Sequence, residues 1–284
     1  MLGAIIGDVA GSTYEEKEVL AKKRSGKVSY EERIKILDKN VPLFTEVSSV
    51  TDDSILTTAI ADALINNKDY GVVLREYGQK FIDTNVKSKF GGGFVSWLED
   101  PNHNNSYGNG CSMRISPVPE LFDNLEKVKK VTGEITRITH NHPEAILCAE
   151  ALATCIFFAK NKKSKNDIKN YVEENYFKLD YDLKQLQRNY EFTSRAINSV
   201  PPAIYVFLVS NDFEDAIRKA ISIGGDSDTI ACMVGSIAEN YYGIPDNIKK
   251  DVERYIPNYM EKIIKPFYEI KEAAYVRKPG GKVN

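Results

Sequence analysis

Residues 145–159, AILCAEALATCIFFA, are apolar almost all the way round a helix, so the chain must adopt a fold that buries this helix on most of its faces. Asn141 and Pro143 stand before it where an N-cap and a first-turn proline belong. Other segments share the period. Thr51 can cap a helix over 52–66, in which Ile55, Leu56, Ala59, Ile60, Ala63 and Leu64 recur at helical spacing. Ser29 and Glu32 form a capping-box pattern opening a short helix to about Leu37. Asp212 starts a helix closed by Gly224 and Gly225. A further helix spans 228–242, with Ile230, Val234, Ile237 and Tyr241 on one stripe and Gly243 and Pro245 as its stop. Its small residues Ala231, Gly235 and Ala238 invite a close neighbour. A longer amphipathic stretch from Pro245 to about Tyr275 is interrupted by Pro257 and Pro266.

Strand signals are weak: VSY at 28–30 and VPLF at 41–44 are candidates, and neither alternates for long. The basic runs at 21–27 and 160–169 read as solvated loops between helices. No repeat and no Pro/Gly/Ser-rich linker divides the chain, so one all-α domain over 1–284 is expected.

Composition narrows the function. With 38 basic and 40 acidic side chains among 284 residues the net charge is −2, which removes the simplest argument for nucleic-acid binding. The cysteines at 111, 148, 155 and 232 form no C-x-x-C pair, so neither a zinc ribbon nor a redox motif is supported, and their usage fits a reducing compartment. The segment MLGAIIGDVAGS lacks a basic flank and carries Asp8 within its apolar stretch, so it does not read as a signal peptide. No apolar run is long enough for a membrane span. A cytoplasmic protein is expected.

The chemistry concentrates in two clusters far apart in sequence. These are Thr51-Asp52-Asp53-Ser54 and Gly224-Gly225-Asp226-Ser227-Asp228-Thr229. Each sits where a helix begins, and either alone is accounted for as an N-cap with acids suited to the helix dipole. Both together hold more acids than two caps need. Their oxygens suit a hard cation such as Mg²⁺ or Mn²⁺, and four crowded carboxylates without one would have to take up protons. A shared divalent-metal site is therefore favoured.

Glycine punctuation accompanies the acids. Gly91-Gly92-Gly93 and Ser106-Tyr107-Gly108-Asn109-Gly110 lie outside helical periodicity, as ordinary turns or as nests of N–H groups for a phosphate or pyrophosphate. Neither fits a Walker A or dinucleotide-binding pattern. Tyr107 has two readings, stacking on a base or ribose and simple packing. His140 and His142 flank Asn141 and read first as structural, and His103 sits in a polar segment. No spacing supports a nucleophilic triad.

At these residues the chain resembles the ADP-ribosylhydrolases, also called ADP-ribosylglycohydrolases. The resemblance runs nearly end to end through GAIIGDVAGSTYE (3–15), VTDDS (50–54), SYGNGCSMRISPV (106–118), THNHPEA (139–145), SVPPAIYVFL (199–208) and ISIGGDSDTIACMVGSIAENYYGIP (221–245). It implies a compact all-α orthogonal helix bundle with a central cleft for two divalent cations, Mg²⁺ or Mn²⁺. Thr51, Asp52, Asp53, Asp226, Asp228 and Thr229 would be the metal ligands. Glu15 would lie on a segment over the metals as acid/base or gating residue, with Asp53 or Asp228 as the alternative base. The glycine loop 91–93 and Ser106, Tyr107, Gly108, Asn109 and Gly110 would lie near the diphosphate and distal ribose, and His140 near that ribose.

The implied reaction is hydrolysis at C1″ of an ADP-ribose conjugate, whether an ADP-ribosylated protein or a small molecule. The blocks at 3–15 and 106–110 look like the branch acting on serine-linked ADP-ribose, O-acetyl-ADP-ribose and poly(ADP-ribose). THNHPEA matches a broad bacterial set, so arginine-linked ADP-ribose stays open. Two other classes are carried along: a non-catalytic ADP-ribose binder and a metal phosphohydrolase cutting the pyrophosphate.

Overall fold

The computed structural model describes residues 1–23, 29–82 and 90–276. Described residues are helical or irregular, with two isolated bridges and no strand. The first half holds α1 (Leu2–Lys23), α2 (Tyr30–Arg33) running into a 3-10 turn at Ile34–Leu37, α3 (Asp52–Ile65), α4 (Tyr70–Phe81), α5 (Gly92–Glu99), α6 (Gly110–Met113), α7 (Pro117–Leu121) and α8 (Leu125–Arg137). The second holds α9 (Pro143–Lys160), α10 (Lys165–Asn175), α11 (Leu183–Asn189), α12 (Ala196–Leu208), α13 (Phe213–Ile223), α14 (Ser227–Tyr242), α15 (Asp246–Val252) and α16 (Asn258–Val276). The all-α expectation holds.

Side-chain caps fix many of the starts. Ser29 accepts from the Glu32 N–H, Thr51 from Asp53, Asp69 from Val72, Asn124 from Lys127 and Asp212 from Asp215. Ser164 and Asp167 form a full capping box on α10. At α13 and α14 the stops are Gly224 and Gly243, both at φ 78°.

Four expectations are corrected. In VSY, Ser29 is the cap of α2 and Tyr30 its first residue, while Val28 falls outside the described residues. VPLF is an irregular segment that buries Leu43 and Phe44 without a strand partner. The cap of α9 is His142, because its ring Nδ1 accepts from the Glu144 N–H while Asn141 donates its own N–H to the Asn104 carbonyl. The 160–169 run is not a free loop. Lys160 ends α9, Lys165 opens α10, and Lys165 Nζ donates to the Leu208 carbonyl at 3.0 Å and also to that of Ser210. That ammonium satisfies carbonyls left open at and just beyond the end of α12. The other basic run lies at the end of α1 and, from residue 24, outside the described residues.

The packing that matters for the site is α1 on α14. Gly3, Gly7 and Gly11 recur every fourth residue and face the backbone of Gly235, Ala231 and Ser227–Asp228 in turn. A Cβ at Gly7 would run into the Ala231 carbonyl, and one at Gly235 into the Gly3 carbonyl. The small residues of α14 are thus matched by glycines on α1. Asp8, on α1, meets the start of α3 and lies within electrostatic reach of Asp228 at the start of α14. Buried α9 supports the assembly with Cys148, Ala151, Leu152, Cys155 and Ile156, all in one apolar cluster that runs from Met1 to Phe267.

Candidate active site

The second acidic cluster begins α14 and the first begins α3, and the α1–α14 contact sets them on one cleft of about 220 Å³. Glu15, Thr51, Asp52, Asp53, Asp226, Asp228 and Thr229 all line it. Around them stand Gly91, Gly92, Gly93, Ser106, Gly108, Asn109, Gly110 and His140. Tyr107 does not. Its ring is 55% exposed on an adjoining groove, edge-on to His142 at 5.7 Å and with the Arg195 guanidinium 5.7 Å away. The glycine run is also not a plain turn, because Gly91 is the N-cap of α5 and Gly92 and Gly93 form its first turn. Its carbonyl accepts from Phe94 and Val95, and Phe94, Trp97 and Leu98 bury the helix that follows.

Further residues, given no role by the sequence, support or line the cleft. Asp8 is fully buried and accepts from the Thr51 N–H (2.9 Å), the Thr51 hydroxyl (2.7 Å), the Ser54 N–H (3.1 Å) and the Ser54 hydroxyl. It therefore holds the first turn of α3 and fixes which way the Thr51 hydroxyl points. Its sequence signals are a carboxylate inside an apolar stretch and a place in the 3–15 block. Arg114, Phe192 and Ser194 line the cleft as well; Arg114 falls within the 106–118 block, and nothing local in the sequence marks Phe192 or Ser194.

Asn109 acts on the acids. Its amide nitrogen donates to Asp226 Oδ2 at 2.7 Å and to the Ser199 hydroxyl at 3.3 Å. Thr229 donates to Asp53 Oδ1 at 3.2 Å. The loop carrying Asn109 is itself fixed at both edges, by an Asn105–His140 bridge and by Asn109 N–H to the Ser194 carbonyl at 2.7 Å.

Crowding dominates the electrostatics. Burial pushes Asp8 up to about 6, against the pull of its Ser54 and Thr51 hydrogen bonds. It pushes Asp226 to about 6 as well, opposed by Asn109 and reinforced by Glu15. Burial again, followed by the negative charge of neighbouring carboxylates, holds Asp52, Asp53 and Asp228 well above the usual carboxylate range. Asp53 Oδ2 is buried with no hydrogen-bond partner among the described residues. Glu15, Asp226 and Asp228 each offer an oxygen within 4.8 Å of the others. An orphan carboxylate oxygen, an all-oxygen donor set and raised proton affinities describe a place a divalent cation fits.

The chain matches the ADP-ribosylglycohydrolase family over residues 1–276 and belongs to that family. It is 24% identical to mouse ADP-ribosylhydrolase ARH3, with 90% of this chain and 86% of that protein covered. The chicken ADP-ribosylhydrolase ARH3 is 25% identical, with 96% and 90% covered. ADP-ribosylarginine hydrolase Tri1 of Pseudomonas putida is 23% identical, with 86% and 70% covered. A solved structure described as an ADP-ribosylglycohydrolase-related protein complex shares the fold, with a TM-score of 0.66 at 20% identity over 95% of this chain and 97% of that one. No helix among the described residues is long and apolar enough to cross a membrane.

Proposed function

We propose that this protein is a hydrolase that cleaves the C1″ bond of O-linked ADP-ribose conjugates, and that it works with divalent cations, two Mg²⁺ or Mn²⁺, held in the acidic cleft. The observation that carries the reading is the meeting of the Thr51–Asp53 and Asp226–Thr229 clusters with Glu15 on one cleft, with Asp53 Oδ2 unsatisfied. The likeness to ADP-ribosylhydrolase ARH3 supports the hydrolase, and the resemblance of the 3–15 and 106–110 blocks to the serine-linked branch supports the O-linked substrate class.

Thr51, Asp52, Asp53, Asp226, Asp228 and Thr229 would be the ligands. Bound there, the cations would neutralise the crowded carboxylates and polarise the hydroxyls of the distal ribose. Asp8 presents Thr51, and Asn109 and Thr229 orient Asp226 and Asp53, so the ligand oxygens are set before substrate arrives. The first-turn N–H groups of α5, at the open Gly91 and Gly92, suit the diphosphate. Asp53 or Asp228 would take the proton of the attacking water as its oxygen bonds to C1″. Glu15 would return a proton to the departing oxygen, and remaining carboxylates would stabilise positive charge on the ring.

The arginine-linked substrate is the second reading, supported by the likeness to Tri1. The deciding assay measures free ADP-ribose released from serine-linked and arginine-linked ADP-ribosyl peptides, in Mg²⁺ and again in EDTA. Release from the serine peptide, abolished by EDTA and by Glu15→Gln, is expected. Release from neither peptide by a protein that still binds ADP-ribose would make it a binder. Release of AMP would make it a phosphohydrolase.

A further inference from the structure

A chain of three buried polar side chains runs into the wall of the cleft, which Arg114 and His140 line. Arg114 Nη2 donates to the Thr139 hydroxyl at 2.7 Å, and that hydroxyl lies 2.6 Å from His140 Nδ1. Arg114 and Thr139 are fully buried and His140 is 4% exposed. The donor inventory of these groups restricts how the protons can be arranged. A guanidinium only donates, so the Thr139 oxygen accepts from Arg114. Its own hydrogen needs an acceptor, and among the described residues the only one in contact with it is His140 Nδ1. If Nδ1 carried the proton instead, Thr139 would accept twice and its buried O–H would be stranded, which is the costly arrangement.

We propose that Arg114 and Thr139 are positioning residues that lock His140 in its Nε2–H tautomer, so that the ring offers a fixed neutral N–H donor to an oxygen acceptor of the ligand in the cleft. Burial, and then the Arg114 charge, hold the His140 pKa well below the usual histidine value, so the ring carries one proton. Arg114 stays charged, since burial lowers its pKa only to about 10. Nε2 faces the glycine loop. It lies 3.3 Å from where a Cβ on Gly110 would sit and 3.6 Å from that of Gly108, so the missing side chains leave space for a ligand beside it. A neutral donor also suits a sugar that develops positive charge, because an imidazolium there would oppose it. The identity of the acceptor rests on the ADP-ribose reading above; the tautomer does not.

The test is ¹⁵N NMR of the histidine rings in the full-length protein without ligand, with the His140 signals assigned through His140→Gln. The expected spectrum has Nδ1 as an unprotonated nitrogen and Nε2 as a protonated one. Thr139→Val should lose that pattern and Thr139→Ser should keep it. Calorimetry with ADP-ribose in Mg²⁺ should show binding weakened about fivefold by Thr139→Val, the scale of one misdirected hydrogen bond, and nearly restored by Thr139→Ser. A wild-type ring protonated on Nδ1, or a Thr139→Val protein with unchanged tautomer and affinity, overturns the proposal. Should Thr139→Val fail to fold, the wild-type and Thr139→Ser spectra still decide. A wild-type protein with the expected tautomer but no affinity for ADP-ribose would sink the substrate reading and leave the relay standing.

Discussion

Gly11→Ala tests whether the close approach of α1 to α14 is what sets the acidic cleft. Two effects compete. Replacing glycine by alanine inside a helix favours folding by about 1 kcal/mol. Against this, a Cβ at Gly11 would lie closest to the Asp228 Cα, 2.5 Å from the Ser227 carbonyl oxygen and 2.7 Å from the Asp228 nitrogen. A carbon–oxygen contact of about 3.3 Å is as close as packed backbones come, so the two helices must part by roughly 0.8 Å or more. Every atom in the way is backbone, which cannot rotate aside. Overpacking of this kind costs about 3 kcal/mol at the upper end of its range, leaving a net loss of about 2 kcal/mol.

The shift would fall on the first turn of α14, where Ser227 donates to the Gly11 carbonyl at 3.2 Å and Asp228 faces the cleft. If Asp228 holds a cation as proposed, misplacing its carboxylate by about 1 Å should lower turnover on the order of a hundredfold. Gly133→Ala, in α8, is the control. There the nearest atom is the end of the Arg137 side chain at 2.5 Å, which can swing away. Urea unfolding midpoints and Mg²⁺ affinity should fall for Gly11→Ala and hold or rise for Gly133→Ala. Equal behaviour of the two variants would refute the argument that the glycine stripe places the acids.

Three further predictions come from the carboxylates. Asp8 and Asp226 bind protons more tightly folded than unfolded, so in EDTA their contribution is fully present below about pH 4 and is lost as pH rises through about 6. Each shift of about 2 units corresponds to about 3 kcal/mol, so EDTA-treated protein should lose stability across that window, while saturating Mg²⁺ at neutral pH should restore it; urea midpoints against pH read both. Asp53→Asn removes one buried charge from the cluster, and should raise the EDTA-state midpoint while abolishing Mg²⁺ binding by calorimetry and ADP-ribose release. Asp8→Asn leaves one acceptor oxygen for four donors, and should cost about 2 kcal/mol in unfolding experiments and weaken cation binding through the freed Thr51 hydroxyl.

Much of this protein is local and therefore legible in its sequence. Caps act within three residues and helical periods within two turns, which is why Thr51, Asp212, Gly224 and Gly243 mark real boundaries. Family membership is legible for a similar reason, since its motifs are contiguous blocks. Local pattern misleads where a neighbour in space supplies the decisive bond. Asn141 is drawn off to the Asn104 carbonyl, so His142 caps α9, and Phe94, Trp97 and Leu98 bury a helix that three glycines seemed to forbid. Tyr107 belongs by sequence to the cleft loop, yet the His142 and Arg195 contacts hold it on the adjoining groove.

The two acidic clusters could be read as metal-binding chemistry from composition alone. Their meeting could not, because it depends on α1 lying against α14 at backbone distance and on Asp8 reaching across to the start of α3. The proton arrangement at His140 likewise depends on Arg114, which is remote in sequence. Most caps, helical periods and the acid-and-hydroxyl motifs are written in the sequence, because those follow from short-range sterics and residue chemistry. Tertiary structure decided which donors share a cleft, because that follows from how closely two helices can approach.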